Sequence, residues 1–252
     1  MTTPQTSDKY EFRHEREREH AINSMRAYVE NKPEQVKFLE ELMMPYVGVD
    51  SSVSVLDACC GIGDLVYFLS LLNPAAQITG LDRANFLLSE ATAQFGGPNV
   101  NFVQGDIYAL TKQFGHKAFD VSVCKQTLSW LPRYEEPVAE LMNVTRDAVF
   151  ITSLFYDGRI DFETRVREYT TDSGRDDFNA FYNVYSFPVF REFCLSRGAK
   201  EVTGYDFHIG IDLPRAENLD RMGTYTEQLA SGQRIQISGA LLMPWKVIRI
   251  DL

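Results

Sequence analysis

Apolar and polar positions change their rhythm three times along the chain. Residues 11–30 are dense in Arg and Glu of mixed sign at helical spacing, which reads as a solvated helix. A second helix is expected over residues 33–44, with Pro33 suited to its first turn and Pro45 stopping it. From Val53 onward, short apolar runs alternate with amphipathic ones. The run at 53–57 ends in an acid, Asp57, and leads through a glycine-containing turn into a helix over 64–72, closed by Asn73-Pro74. A strand over 77–81 ends at Asp82, and a helix over 86–95 is closed by Gly96-Gly97. Further strands are expected over 100–104, 119–124 and 148–154, with helix around 137–143.

Short links between alternating strands and helices imply a parallel sheet covered on both faces. Right-handed crossovers then gather the carboxyl ends of the strands on one edge, where open α/β sheets bind ligands. The last hundred residues follow another pattern. Residues 159–181 are charged and read as an insertion over the sheet edge. Ser186 is a plausible cap for a helix with Pro188 in its first turn and Gly198 beyond its end. Late strands fall within 201–211 and 235–250, and residues 225–229 and 234–237 flank a hairpin turn at Ser231-Gly232. The expected organisation is a helical cap over 1–45 and a main domain over 46–252, with the insertion at about 159–185.

With 252 residues, 44% of them hydrophobic, the chain can bury a sizeable core without disulfides or metal. The formal net charge of −10 argues against a nucleic-acid or anionic-membrane surface, since both need basic patches. The most apolar stretch, 53–72, is interrupted by Asp57 and Asp64 and does not read as a membrane span. The polar N-terminus does not read as a secretory signal. Cys59, Cys60, Cys124 and Cys194 form no CxxC pair, and the four His complete no ligand pattern. A reduced, cytoplasmic protein without a metal site is expected.

Four features fall on the predicted ligand edge. In Asp57-Ala58-Cys59-Cys60-Gly61-Ile62-Gly63, the two glycines permit a tight turn and close approach of a ligand to the backbone. Asp82 can accept hydrogen bonds from both hydroxyls of a ribose. In Gly105-Asp106-Ile107, the acid can accept from an exocyclic amine and the Ile107 amide can donate to a ring nitrogen. Lys125-Gln126 follows the fourth strand. Taken singly, the glycines are ordinary turn residues; together the four imply a ribose and an adenine. Dinucleotide binding wants a third glycine where Val66 stands. A carboxylate at Asp57 would also repel a pyrophosphate by several kcal/mol at low effective dielectric. The same carboxylate suits a ligand bearing an ammonium and a sulfonium, as S-adenosylmethionine does.

The segments VLDACCGIGD, ITGLDR, NVNFVQGDI and FDVSVCK resemble the successive motifs of class I S-adenosylmethionine-dependent methyltransferases, over about residues 53–154. The resemblance implies an α/β, Rossmann-like fold: a mostly parallel seven-stranded sheet with helices on both faces and an N-terminal helical cap. By position it implies that Asp57, Gly61 and Gly63 line the methionine moiety, with Cys59 offering backbone. Asp82 would hold the ribose, Arg83 would pack beside the adenine, and Asp106 and Ile107 would read its edge. Lys125 would approach the methionine tail through its carbonyl. The family usually has glycine where Cys59 stands, so a conformation that a β-carbon tolerates is expected there.

For the methyl acceptor, His208 is the candidate base, although a lone His is more often structural. Asp206 shares its face by strand alternation and could orient or replace it. Trp130, Tyr182 and Tyr185 are candidate pocket walls, each competing with a plain core role. The N-terminal helices, including Tyr10, are a candidate lid. The tail at 224–245 resembles bacterial methyltransferases of polysaccharide and small-metabolite pathways, which favours a small polar acceptor such as a sugar hydroxyl. Small-molecule N-methylation, a nicotinamide-dependent oxidoreductase and a non-catalytic cofactor-binding protein stand as alternatives. No nucleic-acid or membrane partner is expected; a homodimer is left open.

Overall fold

A computed structural model of the chain describes residues 18–49, 52–170, 174–215, 217 and 223–252. Helices α1 (Arg18–Glu30) and α2 (Glu34–Val47) lead into strand β1 (Ser54–Ala58). Next come α3 (Asp64–Leu72), β2 (Gln77–Asp82), α4 (Asn85–Phe95), β3 (Val100–Gln104), α5 (Leu110–Phe114) and β4 (Phe119–Lys125). Helix α6 (Glu135–Val144) then runs directly into β5 (Thr145–Tyr156). The sequence pattern had not marked α5, whose five residues are too few to show a period.

Helix α2 departs from expectation at its end. It continues through Pro45 and stops at Gly48, whose φ is 63° and whose N–H donates to the Met44 carbonyl. Met43 and Val47 are fully buried in that last turn. Their packing against the sheet offsets the amide hydrogen bond that proline cannot make.

Strands β1 to β5 are mutually parallel in the order β3-β2-β1-β4-β5. Two late strands, β9 (Glu201–Asp206) and β13 (Trp245–Asp251), extend the sheet to β5-β13-β9, with β13 antiparallel to both neighbours. The seven-stranded, mostly parallel sheet expected from the sequence is therefore present. A two-residue strand, β8 (Tyr185–Ser186), is added in parallel at the end of β5.

Alternation along β5 feeds two cores. Val149 and Ile151 face a cluster with Leu110, Leu141 and Phe190, whereas Ala148 and Phe150 face one with Leu39, Leu69 and Met43. Both faces are covered, so the strand is apolar almost continuously. Each fully buried Phe or Leu there contributes roughly 1.5–3 kcal/mol of transfer free energy.

The insertion forms a two-stranded hairpin, β6 (Arg165–Thr170) with β7 (Gly174–Phe181). Helix α7 (Phe187–Ser196) starts at Ser186, whose hydroxyl accepts from the Val189 amide, as its sequence promised. The expected late hairpin is β10 (Thr224–Gln228) against β11 (Arg234–Ser238), turning at Gly232 with φ 85°. A short β12 (Leu241–Leu242) completes that three-stranded sheet.

Candidate active site

The carboxyl ends of β1, β2 and β4 and the turn after β3 meet at one edge. Asp57, near the end of β1, is 1% exposed, and neither of its carboxylate oxygens has a hydrogen-bond partner. Burial pushes its pKa well above the usual carboxylate range; the Lys125 ammonium opposes this, and Asp64 and Asp82 add to it. Asp82 accepts from the amides of Gly61 and Ala84, each at 2.9 Å. Burial raises its pKa, and those amides oppose the rise. The acid at the end of β2 thus ties the glycine turn to the start of the next loop.

Cys59 departs from expectation. It keeps a left-handed backbone, φ 65°, in the place where the resembled family carries glycine. The β-carbon there costs about 1–2 kcal/mol. The Cys124 thiol beside it, together with burial, holds the Cys59 thiol well above the usual pKa range. Gly63, φ 80°, precedes α3 and accommodates the Phe102 ring: a β-carbon there would lie 2.6 Å from the ring edge. Its role is therefore packing between helix and strand rather than a wall of the cavity.

Asp106 caps the turn after β3 by accepting from the Tyr108 amide at 3.0 Å, and Arg83 Nη1 lies 3.9 Å from its other oxygen. The Lys125 ammonium pairs with Asp64 at the start of α3, and its carbonyl accepts from Thr127 Oγ1 at 3.2 Å. Burial alone would lower the Lys125 pKa; Asp64, then Asp57, reverse that and hold it above the usual value. Gln126 follows with φ 57°, its amide donating to both the carbonyl and the hydroxyl of Thr152, and its side chain bonded to Gln35 of α2. That bond joins the N-terminal helices to the sheet edge.

These groups surround a cavity of about 940 Å³. Among the residues singled out from the sequence, Cys59, Gly61, Asp82, Arg83, Asp106, Ile107, Lys125, Trp130 and Tyr182 line it. Asp57 lies buried behind the wall.

Three further expectations are corrected. Tyr185 is buried away from the cavity, where its hydroxyl donates to the carbonyls of Leu128 and Leu131 at 3.1 and 3.0 Å; it clamps the turn after β4. Asp206 and His208 do share a face, but it is the outer one. Asp206 is exposed and pairs with Lys246, a buried ammonium also held by Asp157 at 3.0 Å. His208 is exposed, with Nδ1 3.3 Å from Gln233 Nε2. Their neighbours Phe207 and Ile209 line the cavity instead. The alternation was right and the choice of face was not, because Lys246 on β13 draws Asp206 outward.

Tyr10 lies outside the described residues. Sequence reasoning missed Tyr28, Lys32, Glu34 and Gln35, which bring the N-terminal helices onto the cavity, and also Gln236 and Trp245. Trp245 stands in the tail segment already noted, but nothing local marks Gln35.

A mostly parallel sheet of this order, with acids at the ends of β1 and β2 and after β3, is an α/β fold of the class I methyltransferase type. Comparison with known proteins agrees. Residues 49–173 match the family model described as a methyltransferase domain. The demethylmenaquinone methyltransferase of Lactococcus lactis is 32% identical over 107 residues, 41% of this chain and 42% of the relative. A malonyl-[acyl-carrier protein] O-methyltransferase of Halalkalibacterium halodurans is 33% identical over 94 residues, 36% of this chain and 35% of the relative. The chain thus spans less than half the length of these curated relatives.

Among solved structures, magnesium protoporphyrin IX methyltransferase from Synechocystis with bound SAM superposes with a TM-score of 0.52 at 13% identity, covering 86% of this chain and 77% of that one. The N-terminal domain of EvdMO1, in the presence of SAH and D-fucose, gives 0.56 at 11% identity, covering 88% and 84%. Both show a shared fold.

Proposed function

We propose that this chain binds S-adenosylmethionine at the edge formed by β1 to β4 and transfers its methyl group to the hydroxyl oxygen of a small organic acceptor. The observation that carries this reading is Asp57. Two orphaned carboxylate oxygens behind a glycine turn, beside Asp82, ask for a cationic nucleoside and repel a diphosphate. In this reading the backbone of Cys59 and Gly61 holds the amino-acid tail, with Lys125 beside it and the buried Asp57 carboxyl behind that wall as counter-charge. Asp82 takes the ribose hydroxyls, Arg83 flanks the adenine, and Asp106 with the Ile107 amide meets its edge.

When bound, the sulfonium supplies an electrophilic methyl: the acceptor oxygen takes it, the carbon–sulfur pair stays on sulfur as S-adenosylhomocysteine, and the acceptor's proton leaves to solvent. The protein aligns the two reactants and keeps the cavity dry. Within the cap expected over 1–45, the described helices α1 and α2 close over the domain at 46–252: Tyr28 and Gln35 line the cavity, and the Gln35–Gln126 bond supports closure. No helix among the described residues is long and apolar enough to cross a membrane. The four free cysteines suit a reducing, cytoplasmic setting.

Two measurements test the proposal. Calorimetry should show S-adenosylmethionine binding and no NAD binding. Mass spectrometry of a metabolite extract, incubated with the protein and a labelled methyl donor, should show one compound gaining one methyl. Tight NAD binding without S-adenosylmethionine binding would overturn the reading.

A further inference from the structure

The cavity is chemically divided. Its cofactor end is polar, built from backbone amides, Asp82, Asp106 and Lys125. Its other end is walled by Trp130, Tyr182, Phe207, Ile209, Ile211 and Trp245. Four of these six belong to one apolar cluster at the carboxyl end of β5, separate from the two main cores. Trp130 packs edge-on against Tyr182 with ring centroids 4.6 Å apart, and Phe38 of α2 backs Phe207 at 5.9 Å. Ile211, 48% exposed, forms an apolar lip. Rigid aromatic faces set edge to face favour another ring system between them. A polyhydroxylated sugar would find few partners among these walls, the late hairpin adding only Thr224 and Gln236 to the lining.

The charged groups give a second, independent constraint. Every carboxylate on the cavity wall is already engaged: Glu34 by Lys37, Asp64 by Lys125, Asp82 by two backbone amides, and Asp106 by the Tyr108 amide. No His stands among the described lining residues. Lys32 is held by Glu40 at 2.7 Å, so its charge is matched rather than offered to a carboxylate ligand. The wall therefore provides no free base and no free counter-ion at its aromatic end. An aliphatic or sugar hydroxyl needs a base before it can act as a nucleophile. A phenolic hydroxyl, with a pKa near 10 or below, loses its proton to water unaided.

Resting on the proposed methyl transfer, we infer that the acceptor is a flat aromatic ring system carrying a weakly acidic, phenol-type hydroxyl, bound between the Trp130–Tyr182 wall and the Phe207–Trp245 side. This replaces the sugar-like acceptor expected from the sequence. The phenol gives its proton to water at the lip, and the resulting oxyanion attacks the methyl carbon.

The chain has two tryptophans, Trp130 and Trp245, and both line this end of the cavity. Tryptophan emission therefore reports its occupancy without any turnover. The probe is 4-nitro-1-naphthol, a non-fluorescent quencher, titrated into the full chain with S-adenosylhomocysteine present. Saturable quenching is expected, with part of the signal lost in Trp130→Phe and part in Trp245→Phe. Tyr182→Ala should weaken binding by up to about tenfold, the size of one lost aromatic pair; because it truncates a buried ring its melting temperature should fall too, and a cooperative melt above the assay temperature shows that the fold survives. Methyl glucoside, 1-decanol and 1-naphthoate serve as competitors, and each should displace the probe only at far higher concentration than 2-naphthol does.

No quenching overturns the inference. Equal competition by methyl glucoside, by 1-decanol or by 1-naphthoate overturns it in favour of a sugar, an alkyl chain or a carboxylate respectively. The rising limb of the pH–rate profile for two phenols of different acidity should shift by the difference in their own pKa values; a fixed rising limb would reveal a protein base. Calorimetry with S-adenosylmethionine separates the two readings: loss of that binding sinks the proposed activity, whereas binding without probe quenching sinks only the aromatic acceptor.

Discussion

Asp57→Asn should make the ligand-free protein more stable and at the same time disable it. Asparagine keeps the shape of the side chain and removes a charge that is 1% exposed and has no hydrogen-bond partner on either oxygen. A buried, unsatisfied polar group costs about 1–3 kcal/mol, more when it is charged. Relief of part of that cost should raise the melting temperature by roughly 2–4 °C per kcal/mol in a chain of this size. Lys125 is not stranded by the change, because Asp64 still pairs with it.

The gain must depend on pH. Burial raises the folded-state pKa of Asp57 above its unfolded value, so the folded wild type holds that proton more tightly than the unfolded chain. The stabilisation this gives is fully present below the unfolded value, near 4, and is lost as pH rises through the folded value. Asparagine does not titrate. The variant's advantage should therefore be small at pH 4–5 and grow towards pH 8, measured by thermal melts across that range. S-adenosylmethionine affinity should fall, by about tenfold for each 1.4 kcal/mol of attraction lost between the buried carboxylate and the bound cation. An Asn variant less stable than wild type at pH 8, or an advantage that does not change with pH, would refute the assignment of Asp57 as an uncompensated buried carboxyl.

Other substitutions probe the turn and the corrected residues. Gly63→Ala should cost about 2–4 kcal/mol in a denaturant titration, combining left-handed strain with overpacking against Phe102; Phe102→Leu in the same chain should recover part of it. Cys59→Gly should be about 1 kcal/mol more stable than Cys59→Ala, since only glycine relieves the strain at φ 65°, and equal melting temperatures would count against the strain. His208→Ala should leave methyl transfer within about twofold of wild type in a labelled-methyl assay, because its exposed side chain is not part of the cavity lining; a loss of orders of magnitude would restore it as the base.

The cofactor edge was legible because each of its parts is local. A strand ending in Asp57, a turn with Gly61 and Gly63, and the same strand-then-acid pattern at Asp82 and Asp106 place their groups through neighbouring backbone alone. The periodicity of those segments fixes which end of the sheet they reach, since right-handed crossovers leave one choice. Cys59 shows the margin of that reasoning: the residue type suggested an ordinary backbone, but the turn geometry imposed the left-handed one and the chain tolerates it.

Tertiary contacts decided the acceptor end. Asp206 and His208 alternate with Phe207 and Ile209 in a way any reading of the strand would recover, yet which pair faces inward depends on Lys246, forty residues away on β13. Tyr185 could serve a pocket or a core until the carbonyls of Leu128 and Leu131 claimed its hydroxyl. Gln35 meets Gln126 across ninety-one positions of sequence. Strand and turn chemistry acts over a few residues, and so the sequence by itself determined the alternation of strand and helix and the three acids at one edge. The facing of a side chain across a sheet edge is set by partners distant in the chain, and only the folded packing of β13, the insertion and the N-terminal helices could choose among faces that are locally equivalent.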